Sequence, residues 1–260
     1  MKTAWQHFLK YIPLMKELVK RDLRLKYRRS FLGYLWSLLN PLLMMTIMTI
    51  VFSFMFKSNI KNFPLYLICG NTLFSFFNES TNMAMYSVLN NGALIRKVYI
   101  PKFIFPISRV LSCFVTMSFS LVAILVVMVV TRSTIHWTLL LFWMPLLFLL
   151  IFCIGIGMIL SAIAVFFRDI THLYGVITMA WMYLTPIFYP VDPKFLPEQV
   201  IQLIRMNPLY HFISFFREVV IYGAIPELST WCFCVISCLM SLAIGMAVFK
   251  KAQKNFILYL

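Results

Sequence analysis

Apolar residues run through this chain in long blocks, separated by short polar segments instead of alternating with them. Six blocks are long enough to cross about 30 Å of hydrocarbon at roughly 1.5 Å per helical residue. They lie near residues 31–56, 64–89, 103–130, 138–166, 172–189 and 229–249. Ahead of them the period changes. Leu14, Met15, Leu18, Val19 and Leu25 fall on one helical face, and Lys16, Lys20 and Arg24 line the other. The pattern predicts an all-α integral membrane protein. An amphipathic cytoplasmic interface helix occupies residues 1–30 and runs through Gly33 and Trp36 into a six-span domain over residues 31–260.

Two segments between the blocks are neither spans nor plain loops. The first, 90–102, opens on Asn90, Asn91 and Gly92, stops at Pro101, and has room for two helical turns lying across the membrane surface. It carries Leu94 and Ile95 beside Arg96 and Lys97, and an apolar pair in that place suits docking into a groove on another protein. In the second, 190–226, Pro190, Pro193, Pro197 and Pro208 cut the chain, while Leu209, Phe212, Ile213, Phe216, Val219 and Val220 recur at helical spacing. Short re-entrant helices forming an outer gate fit this, because broken backbone at membrane depth must be buried in protein or line a wet cavity. A helix resting on the outer surface is the alternative.

Composition and charge settle orientation. With 62% hydrophobic and 12% charged residues among 260, the chain has more apolar surface than a soluble core of this length hides. A net charge of +15 in a soluble chain would suggest nucleic acid, but its placement argues against that partner. With the N-terminus inside, 17 of the 23 Lys and Arg are cytoplasmic; the other six are Lys57, Lys61, Arg132, Lys194, Arg205 and Arg217. Both termini are therefore expected in the cytoplasm. The first apolar block starts too late and is too long for a cleavable signal.

Candidate chemistry is sparse. All six cysteines fall in expected spans, where a thiol acts as a small hydrophobe, so no metal site is expected. No phosphate-binding loop, paired carboxylates or metalloprotease signature occurs, and no catalytic residue is assigned. Gly155 and Gly157 sit in an apolar helix and suit close helix packing. In the second block, Phe76-Phe77-Asn78-Glu79-Ser80-Thr81-Asn82 puts a carboxylate at bilayer depth. Such a charge faces a bundle interior or water, so Glu79 marks either a channel face or a structural bond across helices.

Several segments together resemble the transmembrane subunit of ABC-2-type exporters, in the branch that exports bacterial surface polysaccharides and polyol phosphates (the Wzm, KpsM and TagG group). They are Arg21-Asp22-Leu23 with Lys26-Tyr27-Arg28, Leu32-Gly33-Tyr34-Leu35-Trp36 through Pro41-Leu42, and Asn91-Gly92 with Leu94-Ile95-Arg96-Lys97 and Pro101-Lys102. Phe166-Phe167-Arg168-Asp169, Thr185-Pro186-Ile187 and Asn207-Pro208 complete a likeness that covers nearly the whole chain. The resemblance implies a homodimer in the bacterial cytoplasmic (inner) membrane, standing on two copies of a cytoplasmic ABC ATPase. ATP and Mg belong to that partner, and this chain holds no cofactor. The cargo implied is an undecaprenyl-diphosphate-linked or similar lipid-linked glycan, of O-antigen, capsule or teichoic acid type.

The resemblance also distributes roles. It places the family's interface helix on residues 5–29, where Lys20, Arg21, Arg24, Lys26, Arg28 and Arg29 form a basic face suited to an anionic lipid headgroup. Its coupling helix falls on 90–100, with Asn91, Gly92, Leu94, Ile95, Arg96 and Lys97, and its gate on 195–222, with Asn207, Pro208, Phe212 and Phe216. Aromatic rings line the family's channel; the candidates here are Trp36, Phe76, Phe77, Trp181, Tyr183 and Tyr189, together with Glu79. A drug or small-lipid exporter of the same fold is the nearest rival reading. A secondary transporter and an integral glycosyltransferase or lipid phosphatase stand further off.

Overall fold

Helix α1 (Ile12–Tyr27) begins beside Pro13, whose missing donor costs nothing in a first turn, and ends on Arg24 and Lys26, cations that suit the negative end of the helix dipole. The computed structural model describes residues 11–28, 32–33, 35–56, 60, 62–98, 100–191, 193 and 196–259. Gly33, at φ +48, turns the chain in the left-handed region where glycine alone meets no Cβ penalty. Beyond it come α2 (Leu35–Phe56), α3 (Phe63–Met85), two short helices α4 (Ser87–Asn90) and α5 (Gly92–Lys97), and α6 (Ile104–Val130). A 3₁₀ turn at Trp137–Leu141 leads into α7 (Trp143–Phe166) and α8 (Ile170–Leu184). The chain closes with α9 (Glu198–Arg205), α10 (Pro208–Arg217) with a π turn at Glu218–Tyr222, α11 (Leu228–Ala252) and α12 (Phe256–Tyr259). Among the described residues there is no strand.

Among the described residues, four stretches are long and apolar enough to cross a membrane: Leu35–Phe52, Ile104–Val130, Trp137–Phe166 and Leu228–Ala252. The other two expected blocks differ for physical reasons. Helix α3 has 23 residues, but Asn71, Asn78, Glu79 and Asn82 dilute its hydrophobicity. Helix α8 has 15, because Thr185 precedes Pro186 and so takes an extended conformation that ends the helix.

The polar α3 is the centre of the bundle, packed by α2, α6 and α7, with Leu65, Ile68, Leu73 and Phe77 fully buried. Thr81 Oγ1 donates to the Phe77 carbonyl at 2.7 Å and accepts from the Tyr174 hydroxyl of α8 at 2.7 Å. A second core gathers Met15 and Leu18 of α1, Ile95 of α5, Ile104 and Phe105 of α6, and Phe249 and Phe256 beyond them. Helices α7 and α11 approach closely. A Cβ on Gly155 would collide with the Ser241 backbone, and one on Gly245 with the Gly155 carbonyl, so these small residues let the two backbones touch. Gly157 meets Ala84 of α3 in the same way.

Two breaks in helical hydrogen bonding are covered by other elements. Pro41 has no N–H to give the Ser37 carbonyl one turn earlier; Ser120 Oγ of α6 donates to that carbonyl at 2.9 Å, tying α2 to α6. The irregular segment after α8 is held by Arg217, a buried arginine with no carboxylate partner among the described residues. Its Nη1 donates to the Pro186 carbonyl at 2.8 Å, and Nη2 donates to the Tyr66 and Ile187 carbonyls at 3.0 and 3.1 Å. The guanidinium also lies 3.4 Å from the Tyr66 ring centroid, and Tyr66 Oη donates to the Tyr189 carbonyl at 3.0 Å. Arg217 thereby joins α10, α3 and the chain between α8 and α9. Arg217, one of the six cations that the sequence sets on the side opposite the N-terminus, is thus buried on the carbonyls of the broken segment.

Two expectations follow for stability in detergent. Gly155→Val should separate α7 from α11 and lower the thermal midpoint strongly, whereas Gly175→Ala, with open space at its Cβ, should be neutral or stabilising by about 0.5–1 kcal/mol; unfolding followed by size-exclusion fluorescence compares them. Arg217→Met keeps the length but leaves three carbonyls without their donor, at about 1–3 kcal/mol each. Arg217→Lys, a point donor without the planar fork, should recover only part of that loss in the same assay.

Candidate functional site

Helices α2, α3 and α6 wall a cleft of about 570 Å³. Along α3, Asn71, Ser75, Phe76 and Glu79 fall on one face, and Trp36, Asn40 and Met44 do so along α2, each set covering about two turns, roughly 12 Å of helix. Ser120 of α6, already bonded to Ser37, closes the third wall. The Thr72 hydroxyl is buried in the α3 wall with no partner among the described residues. A trough that mixes amide, hydroxyl and aromatic groups can hydrogen-bond a sugar hydroxyl and stack on the apolar face of its ring.

At the α1 end of the cleft, Lys26 Nζ and Glu79 Oε1 form an ion pair at 2.5 Å. Both side chains are more than a third exposed, so the pair contributes little to stability, about 0–1 kcal/mol. Beside it, Asp22 of α1 is buried and paired with Arg109 of α6 at 2.8 Å, and Ser112 Oγ donates to its other oxygen at 3.3 Å. Burial makes this the stronger tie, because removing either partner would strand a charge away from water. Asp22 and Arg109 went unassigned in the sequence; the signal was an acid among the cations of a basic helix and one cation inside an apolar span.

The residues expected at a channel divide into two groups. Trp36, Phe76 and Glu79 meet in the cleft. Phe77, one residue on, points into the core, its ring 5.1 Å from that of Trp181 and 6.1 Å from that of Phe152. Trp181 is half-buried and donates from Nε1 to Asn207 Oδ1 at 2.8 Å; Tyr183 is 62% exposed on α8; the Tyr189 hydroxyl bonds to the Tyr183 carbonyl at 2.7 Å. None of these last four borders the cleft.

The expected gate is organised around Asn207. Its Oδ1 caps α10 by accepting from Leu209 N at 3.0 Å, and its Nδ2 donates to Thr185 Oγ1 at 2.8 Å, so the end of α8 and the start of α10 share one amide. Pro208 then opens α10, and Phe212 and Phe216 are buried in the large core. Outside the expected spans, burial pushes the His211 imidazole below its ordinary range, partly offset by its bond to the Arg205 carbonyl.

The loop at 90–102 contains α5, anchored by Asn91 Nδ2 donating to the Ser87 carbonyl at 2.7 Å. Gly92 is buried, Ile95 faces inward into the second core and Leu94 is partly buried against it, while Arg96, Lys97 and Val98 are exposed. Ile95 is thus already buried in its own chain, in the core that also holds Met15, Leu18 and Phe249, and is not a free anchor. The basic face of α1 divides as well: Lys20, Arg21, Arg24 and Arg28 are exposed, Arg21 lies 3.4 Å from Asp22, and Lys26 turns to Glu79. Leu25, placed on the apolar face by its spacing, is 61% exposed. Arg29 lies outside the described residues.

Comparison with known proteins matches the sequence to a class. The chain is 28% identical to the O-antigen export system permease protein RfbA of Klebsiella pneumoniae, over 98% of both chains. It is 26% identical to the RfbA protein of Myxococcus xanthus over 95% of both, and 24% identical to the polysialic acid transport protein KpsM of Escherichia coli over 92% of this chain and 93% of the relative. A family model described as ABC-2 type transporter matches residues 13–221. That match covers most of the sequence, including all three walls of the cleft, and the chain belongs to the ABC-2 type transporter family.

Proposed function

We propose that this chain is the permease subunit of an ATP-driven exporter that moves a lipid-linked surface polysaccharide of O-antigen, capsule or teichoic acid type across the bacterial cytoplasmic membrane. The observation that carries the reading is the cleft between α2, α3 and α6, lined by Trp36, Phe76, Asn40, Asn71 and Ser75, with Lys26 held at one end by Glu79. Rings let a glycan slide, since they grip its apolar faces without fixing a register. Lys26 offers a cation to a carrier diphosphate, exchanging one anionic partner for another. Relatives named as an O-antigen export system permease and a polysialic acid transport protein, aligned over almost the full chain, support the cargo class.

The finer architecture belongs to the same proposal. The four long apolar helices count as spans, and α3 and α8 join them to make six, with both termini in the cytoplasm. Helices α9 and α10 form the outer gate, and a second copy of the chain closes the open side of the cleft. Energy comes from a separate ATPase bearing ATP and Mg, two copies beneath the dimer. Its docking surface on this chain is the outward side of α5: Arg96, Lys97 and Val98, with Leu94 at the edge.

Deleting the gene in its native host should abolish surface polysaccharide and leave lipid-linked glycan on the cytoplasmic leaflet, read by surface antibody against whole-cell glycan extraction. Normal surface glycan together with new sensitivity to small toxic compounds would favour the drug or lipid exporter instead. Val98→Asp should cut the amount of ATPase that co-purifies, about tenfold for a lost apolar contact at a docked face, while the chain still elutes as a folded species. Ile95→Asp should unfold the chain, because it places a charge among Met15, Leu18 and Phe249.

A further inference from the structure

Away from the cleft, α1 and α6 enclose a second groove of about 660 Å³. Its walls are apolar, with Val19 and Leu23 on α1 and Leu111, Phe114 and Val115 on α6. One rim carries Lys16, Lys20 and Arg24, spaced by four so that all three stand in one row along α1. These cations are exposed, and no carboxylate among the described residues lies within ion-pair distance of them. The two cations nearest them in function, Lys26 and Arg109, are held by Glu79 and Asp22. The row is therefore a positive edge beside an apolar slot.

We propose that this groove binds an anionic phospholipid of the surrounding bilayer, with one acyl chain along α6 and its phosphate on Lys16, Lys20 and Arg24. Charge selects the occupant. An acyl chain is as well solvated by neighbouring lipid as by Leu111 and Val115, so the slot alone gives no preference among lipids. Each Lys or Arg close to an anionic headgroup favours it by about fivefold, and three in a row favour it by about a hundredfold over a zwitterionic lipid. The bound lipid would fill the gap between α1 and α6 on the side away from the Asp22–Arg109 pair, completing the attachment of α1 to the bundle.

The test is a binding measurement that needs no transport, so its failure would leave the export reading untouched. The full chain is purified after exchange into phosphatidylcholine vesicles doped with phosphatidylglycerol, and retained lipid is counted by native mass spectrometry. Wild type should keep phosphatidylglycerol. The triple variant Lys16→Gln, Lys20→Gln, Arg24→Gln should lose it, while Lys250→Gln with Lys251→Gln, which removes two exposed cations elsewhere, should not. Val115→Trp fills the slot with all charges in place and should reduce retention too. Equal retention by the triple variant and wild type, equal retention of phosphatidylcholine, or equal loss in the Lys250 and Lys251 control would each overturn the site. Preferential displacement by undecaprenyl phosphate, or a crosslink through Val115→Cys to a second copy of the chain, would overturn the occupant.

Discussion

A membrane interior contains no water to satisfy a backbone carbonyl, and this molecule is arranged around that constraint. At three places where helical structure is irregular, a side chain from a different element covers an exposed acceptor. Ser120 serves the Ser37 carbonyl freed by Pro41, Thr138 donates to the Val219 carbonyl in the π turn at 3.0 Å, and Arg217 serves three carbonyls around the Thr185 break. Irregular backbone and tertiary attachment are in this way the same feature. The breaks that open room for the cleft and the outer segment also supply the bonds that hold their walls together.

Charge is used differently at the other end of the bundle. Helix α1 is held by Met15 and Leu18 in the second core and by two ion pairs, the buried Asp22–Arg109 and the part-exposed Lys26–Glu79. The first is costly to break and fixes the position of the helix. The second is weak enough to exchange partners and borders the cleft, so one helix carries both its anchor and a cation that a passing anion can reach.

Much of this arrangement was legible in the chain. Apolar blocks gave the long helices, the period over residues 14–25 gave α1, and Gly155 with Gly157 gave close packing, because each depends on spacing along one element. What failed to show was the direction of single side chains on elements buried all round. Phe76 and Phe77 are equivalent in sequence, yet one faces the cleft and the other Trp181, because one residue is a 100° rotation on a helix. Ile95 looked exposed because its cover comes from residues about 80 positions before it and about 150 after it. The burial of Arg217 did not show because its partners are backbone carbonyls, which leave no mark in a sequence.

The pairing of Arg217 also bears on how the protein is made. A fixed charge entering a membrane is costly until its acceptors are in place. All of them precede it in the chain, Pro186 and Ile187 by 31 and 30 residues and Tyr66 by 151. Synthesis from the N-terminus therefore delivers the ring and the carbonyls to the bilayer before the guanidinium arrives. Biogenesis can proceed without Arg217 ever waiting in lipid for a partner still on the ribosome.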